Sequence, residues 1–115
     1  MTEKQTALTE TTYYILLSLY KPLHGYGIMQ EVAAMSKGRV QLGAGTLYGA
    51  LSTLVERSWI AEGAQYDRKK EYQITAAGNA VVQTEMLRLA ELLENGQMFC
   101  GERPHCSPII HSNMT

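Results

Sequence analysis

Proline removes a backbone donor, and its ring clashes with the preceding helical turn, so its placement limits where helices can run. This chain has three prolines, Pro22, Pro104 and Pro108. The stretch of about eighty residues between the first two contains none, so helices are unobstructed there and glycines supply the punctuation. A length of 115 residues suits one small domain. Whole-chain disorder is excluded, because 45% of residues are hydrophobic and the net charge is only −1.

Hydrophobic spacing divides the proline-free stretch and its flank into elements. Thr9-Glu10-Thr11-Thr12 offers hydroxyl caps and an early acid, which predicts a helix start. Leu8, Thr12, Ile15, Leu16 and Leu19 follow at helical spacing, and the pattern stops at Lys21-Pro22. His24-Gly25-Tyr26-Gly27 reads as a turn. Ile28, Met29, Val32 and Met35 predict a second helix ending at Lys37-Gly38. Val40 and Leu42 alternate with polar residues, as in a very short strand. Gly43-Ala44-Gly45-Thr46 then turns into a third helix. Its apolar face is Leu47, Ala50, Leu51, Leu54 and Val55, and its outer face is Tyr48, Gly49, Ser52, Thr53 and Glu56.

Trp59-Ile60 ends that helix and begins a strand. Asp67-Arg68-Lys69-Lys70 is a basic turn, and a second strand follows with Tyr72 and Ile74 on one face, so the two strands predict a hairpin. Thr75 caps a fourth helix that runs to about Asn95-Gly96, along which Val82, Met86, Leu89 and Leu93 recur at steps of four, three and four. Val81 and Leu92 widen that seam. From about Phe99 the sequence has no period and reads as a disordered tail. The fold class predicted is mainly α (α+β): a winged helix-turn-helix of three helices and a β-hairpin wing, followed by a C-terminal dimerisation helix. Its parts are residues 1–78, 79–97 and a tail over 98–115.

The first residues are polar and lack a signal-peptide core, and no apolar run approaches the ~18 residues of a membrane span, so a cytoplasmic protein is expected. Cys100 and Cys106 are then expected to stay reduced.

Three motifs resemble the signature of PadR-family transcriptional regulators. They are His24-Gly25-Tyr26-Gly27-Ile28, then Gly45-Thr46-Leu47-Tyr48-Gly49-Ala50-Leu51, then Lys70-Glu71-Tyr72-Gln73-Ile74-Thr75-Ala76-Ala77-Gly78. The resemblance runs from about residue 8 to residue 96, and the short length resembles the compact subfamily with one dimerisation helix. It implies a homodimeric repressor whose third helix enters the major groove in each half of an inverted repeat of double-stranded DNA, with the wing reaching toward the minor groove. It also implies release by a small effector, often aromatic or cationic, while Met86 and the neighbouring leucines would suit a small apolar or aromatic one. By the same resemblance Tyr48 donates its hydroxyl to a backbone phosphate and Ser52 is a further polar reader.

The residues add their own chemistry. Gly43, Ala44, Gly45, Thr46 and Gly49 keep the start of the third helix clear of bulk, as a helix that approaches DNA requires. Arg68, Lys69 and Lys70 would neutralise phosphates from the wing, and Arg39 and Lys37 would add a second contact. His24 and Tyr26 either touch the DNA backbone or form a rigid inter-helix turn. Tyr72 is expected in the core. Val82, Met86, Leu89 and Leu93 are expected at the dimer interface, since an uncovered apolar stripe invites a partner.

Overall charge is near neutral, which favours an alternative: a winged-helix interaction module that dimerises without binding DNA. Yet residues 37–70 hold six basic and three acidic side chains, whereas residues 81–115 hold two and four. The neutrality is therefore a sum of a basic half and an acidic half. The only tryptophan, Trp59, lies outside the fourth helix, which weakens an aromatic-stacking effector pocket there. The glycines are spaced G-x-G-x-x-x-G without a βαβ pattern, which argues against a nucleotide loop. Cys100, His105, Cys106 and His111 are of zinc-binding type, but their spacing resembles no zinc finger. No metal, cofactor or catalytic residue is assigned.

Overall fold

The computed structural model describes residues 7–101, with only the backbone of Tyr66. The elements are α1 (Glu10–Ser18), α2 (Gly25–Met35), α3 (Ala44–Glu56), β1 (Ile60–Tyr66), β2 (Lys69–Ile74) and α4 (Ala76–Cys100). This is the predicted order of three helices, a hairpin and a long last helix.

Local chemistry sets most boundaries. The Thr9 hydroxyl accepts from the Thr12 N–H at 3.1 Å, and Glu10 places a carboxylate in the positive first turn of α1. At the end of α2, Lys37 and Gly38 both take positive φ. Their N–H groups donate to Ala34 and Ala33 carbonyls, a Schellman stop. Helix α3 ends the same way, with Ser58 at φ 65° and the Ser58 and Trp59 N–H groups donating to Val55 and Leu54. The Thr75 hydroxyl caps α4 by accepting from the Gly78 N–H at 3.1 Å while donating to the Ser58 carbonyl at 2.7 Å. A Cβ on Gly78 would collide with the Trp59 carbonyl oxygen and stand 2.8 Å from Ile74 Cγ1, so only glycine lets α4 start this close to the end of α3.

Three local expectations fail. The His24-Gly25-Tyr26-Gly27 segment is not a free turn: His24 is the N-cap of α2, and the three residues after it are its first turn. Val40 and Leu42 form no strand, because no extended neighbour among the described residues pairs with them. Val40 N–H instead donates to Ser36 Oγ at 2.9 Å, and both side chains lean on the core. The fourth helix continues through Asn95-Gly96 to Cys100. The left-handed residue that stops it is Gly101 (φ 76°), whose N–H donates to the Gln97 carbonyl at 2.7 Å.

The hairpin is antiparallel, with Ile60 opposite Ile74 and Tyr66 opposite Lys69. Its register shifts between Glu62 and Gln65, where Gly63 and Ala64 together face Glu71, a β-bulge. The two-residue loop Asp67-Arg68 has positive φ at both positions, as in a type I′ turn. A one-residue bridge, missed in the sequence, ties the wing to the helices. Leu23 and Tyr72 exchange two backbone hydrogen bonds of 3.1 and 2.8 Å, and Ile74 N–H reaches the Leu19 carbonyl at 2.8 Å.

Chain packing divides into two units, residues 1–85 and 86–115. The first has the core: Ile15, Leu16 and Leu19 of α1, Ile28 and Val32 of α2, Leu47, Leu51 and Leu54 of α3, with Ile60, Tyr72 and Val82. The Glu85 carboxylate is also buried in it, and burial followed by that negative charge raises the Tyr13 phenol above its ordinary range. The second unit, as far as described, is the distal part of α4, which exposes Met86, Leu87, Leu89, Leu92, Leu93, Met98 and Phe99. The His105, Cys106 and His111 side chains lie outside the described residues, and Cys100 is an exposed free thiol.

Candidate nucleic-acid interface

Helix α3 buries Leu47, Leu51 and Leu54 and leaves Gly45, Thr46, Tyr48, Gly49, Ser52 and Thr53 exposed, as the periodicity requires. A Cβ placed on Gly43, Gly45 or Gly49 would meet nothing within 4 Å. No internal packing therefore explains these glycines, although glycine inside a helix, as at Gly45 and Gly49, costs about 1 kcal/mol relative to alanine. They keep the outer face of α3 low and open.

Gly25 has the opposite reason. A Cβ there would collide with the Tyr48 hydroxyl and lie 2.8 Å from its Cζ. The Tyr48 ring thus crosses the start of α2 and still remains half exposed. Tyr48 therefore packs against α2 while staying at the surface. His24 caps α2 without a side-chain hydrogen bond, and α2 has no acidic residue in its first turn. The N–H groups of Gly25, Tyr26 and Gly27 therefore stay unclaimed among the described residues.

From the other side comes the wing. Its backbone carries Arg68 at the turn and Lys69 and Lys70 on the first positions of β2. His24, Gly25, Tyr26, Tyr48, Arg68, Lys69, Lys70 and Tyr72 line one open concavity of about 360 Å³. Of the cations, Lys70 pairs with Glu62 at 3.3 Å across the strands, a solvent-exposed pair that competes weakly with another anion. Arg68 and Lys69 form no ion pair among the described residues.

The structure thus gathers His24, Tyr26, Tyr48, Arg68, Lys69 and Lys70 around one hollow. Gly45, Thr46 and Ser52 lie on α3's exposed face but do not line it. Arg39 is not among the lining residues either. Its guanidinium pairs with Glu10, and that carboxylate, with the nearby Tyr14 hydroxyl, holds it further above the ordinary arginine value. Sequence reasoning missed Gly25 and Tyr72 as parts of the hollow. Tyr72 is in the core as expected, but it also lines the hollow. Burial raises its phenol above the ordinary range, with Lys70 opposing and Glu62 and Tyr48 adding to the rise.

Of the four residues expected at a dimer interface, Val82 is 1% exposed and belongs to its own chain's core, whereas Met86 is 43%, Leu89 39% and Leu93 48% exposed. The seam open to a partner therefore begins at Met86. No three His, Cys, Asp or Glu side chains among the described residues are grouped to hold a metal, and no described helix is long and apolar enough to cross a membrane.

A helix-turn-helix formed by α2 and α3, with a basic hairpin hydrogen-bonded beside it, defines a winged-helix protein. The model of the transcriptional regulator PadR-like family matches residues 14–84, and the chain belongs to that family. Among solved structures it is similar to H. salinarum RosR, with a TM-score of 0.65 and 20% identity over 82% of this chain and 91% of that one. It is similar to a PadR-like transcription factor of Bacteroides fragilis, at TM-score 0.65 and 24% identity over 76% and 87% of the two chains. A PadR family transcriptional regulator of Eggerthella lenta gives TM-score 0.65 and 20% identity over 80% and 81%. A protein of transposon Tn4556 of Streptomyces fradiae, described as an uncharacterized 37.1 kDa protein, is 33% identical over 78 residues. The match takes in 68% of this chain and 21% of that protein, so the chain spans about a fifth of that relative's length.

Proposed function

We propose that this transcriptional regulator is a homodimeric repressor that binds an inverted repeat in double-stranded DNA and is released by a small apolar or aromatic effector. The observation that carries the reading is the convergence of the α2 N-terminus, Tyr48 and the wing cations on one hollow beside the open outer face of α3. The α3 face, with Gly45, Thr46 and Ser52, reads base edges, while His24, Tyr26, Tyr48, Arg68, Lys69 and Lys70 hold the backbone. Arg39, already paired with Glu10, contributes less than the wing.

Dimerisation rests on Met86, Leu89 and Leu93, whose apolar side chains face solvent in the single chain. The same side chains would wall an apolar cavity between two copies, where an effector would act by disturbing the seam. Selection of duplexes from random DNA by the purified chain tests the reading. An enriched palindrome is the expected result, and a pool that stays random would sink it.

A further inference from the structure

Tyr72 stands apart in the concavity. It is only 8% exposed, yet among the described residues its hydroxyl has no hydrogen-bond partner. Its backbone explains its position, since both its N–H and its carbonyl are bound to Leu23. Packing alone would be served as well by phenylalanine, which has no hydroxyl to leave without a protein partner. The hydroxyl therefore needs another explanation.

Its surroundings are those of an anion seat. The hollow it lines also holds the N-terminus of an 11-residue helix whose N-cap, His24, makes no side-chain hydrogen bond, so its unclaimed N–H groups and dipole favour negative charge. Gly25, buried at that terminus, leaves room for the Tyr48 hydroxyl to lie against it. Arg68 and Lys69 stand on the rim without ion pairs among the described residues. Hydroxyl donors, backbone donors and cations share one small volume, and no carboxylate is among the residues that line it.

Resting on the DNA reading above, we infer that this hollow seats a single phosphate group, with Tyr72 as its buried donor beside Tyr48 and the α2 N–H groups. In a complex with duplex DNA the phosphate is one of the backbone, and it fixes the depth at which α3 enters the groove. A free phosphorylated compound would present the same chemistry.

Tyr72→Phe in the full chain tests this, read by melting temperature and by titration of the selected duplex across salt. Removing a hydrogen bond to a charged group predicts affinity about tenfold lower or more for each seat. The slope of log affinity against log salt stays that of the parent, because no charge is removed. Melting temperature is equal to or above the parent's. Unchanged affinity, a changed slope or a lower melting temperature would each overturn the seat.

A second arm compares millimolar inorganic phosphate with sodium chloride of equal ionic strength in melting experiments. If the parent binds no duplex, the DNA reading fails and this arm decides. A phosphate-specific rise in the parent that Tyr72→Phe lacks keeps the seat, as one for a free phosphorylated compound. No difference between the two chains overturns it.

Discussion

Two surfaces of this chain are left open, and they are open in different ways. The outer face of α3 and the hollow beside it expose glycines, hydroxyls, helix N–H donors and cations. The distal part of α4 exposes methionine, leucine and phenylalanine, with Phe99 88% accessible. Each is costly in the isolated chain: the first by helix propensity and unclaimed donors, the second by apolar surface in water. The cost shows what each surface lacks. On the proposed reading, the polar one takes a poly-anion and the apolar one a second copy of itself. If so, damage to one should leave the other intact, while DNA affinity should need both.

The largest effect should come from the apolar face. Leu89→Glu with Leu93→Glu puts two charges where the seam must close, and a monomer is expected in sedimentation. Two half-sites then bind as independent events, so affinity for an inverted repeat should fall by about 10²–10⁴-fold. Circular dichroism and melting of the first unit should change little, because neither residue belongs to its core. A variant that stays dimeric would show that the seam lies elsewhere.

The boundary where α4 joins the winged-helix core should be the most sensitive to volume. Gly78→Ala forces a methyl against the Trp59 carbonyl and Ile74. A drop of about 1–3 kcal/mol is expected in chemical denaturation. DNA binding and dimerisation, measured on the fraction still folded, should persist.

On the polar face, Lys69→Ala removes a cation that has no ion-pair partner among the described residues. Affinity should fall uniformly across sequences, and the magnitude of the salt slope should drop by about 0.9 for each phosphate that is no longer neutralised. Arg39→Ala is the contrast, since that guanidinium is held by Glu10. A slope change as large as that of Lys69→Ala would show that Arg39 leaves Glu10 for the DNA.

Much of this arrangement was legible because local signals and tertiary needs agree. Thr9 and Thr75 cap where their hydroxyls predicted, and the leucines of α3 bury the predicted face. What escaped were positions where a distant residue decides. Gly25-Tyr26-Gly27 has turn-like composition, but the Tyr48 ring, a different helix's side chain, requires a glycine in a helical first turn. Gly96 resembles a helix stop, yet nothing opposes its helical conformation and the next glycine, Gly101, ends α4 instead. The Leu23–Tyr72 bridge is one residue long and has no periodicity to read. Tyr72 alternates correctly for a core residue, and only the hollow beside it separates the role of the ring from that of the hydroxyl.

The smallest expected effect is also the one that sets the two faces most directly against each other. Gly49 sits in the middle of α3 with open space where a Cβ would go. For the isolated chain, alanine is simply the better residue, and Gly49→Ala should raise stability by about 0.5–1 kcal/mol in denaturant titration. If the outer face of α3 approaches DNA closely, the added methyl takes space from the groove, and affinity for the selected duplex should fall while the protein becomes more stable. The same exchange at Gly96, where a Cβ also meets nothing, should stabilise α4 and leave DNA affinity unchanged. Opposite signs of stability and affinity at Gly49, without that opposition at Gly96, would mark α3 as the reading surface. Equal affinity for the Gly49→Ala chain would mean that DNA does not come close to this face, and that the glycine serves no purpose in binding there.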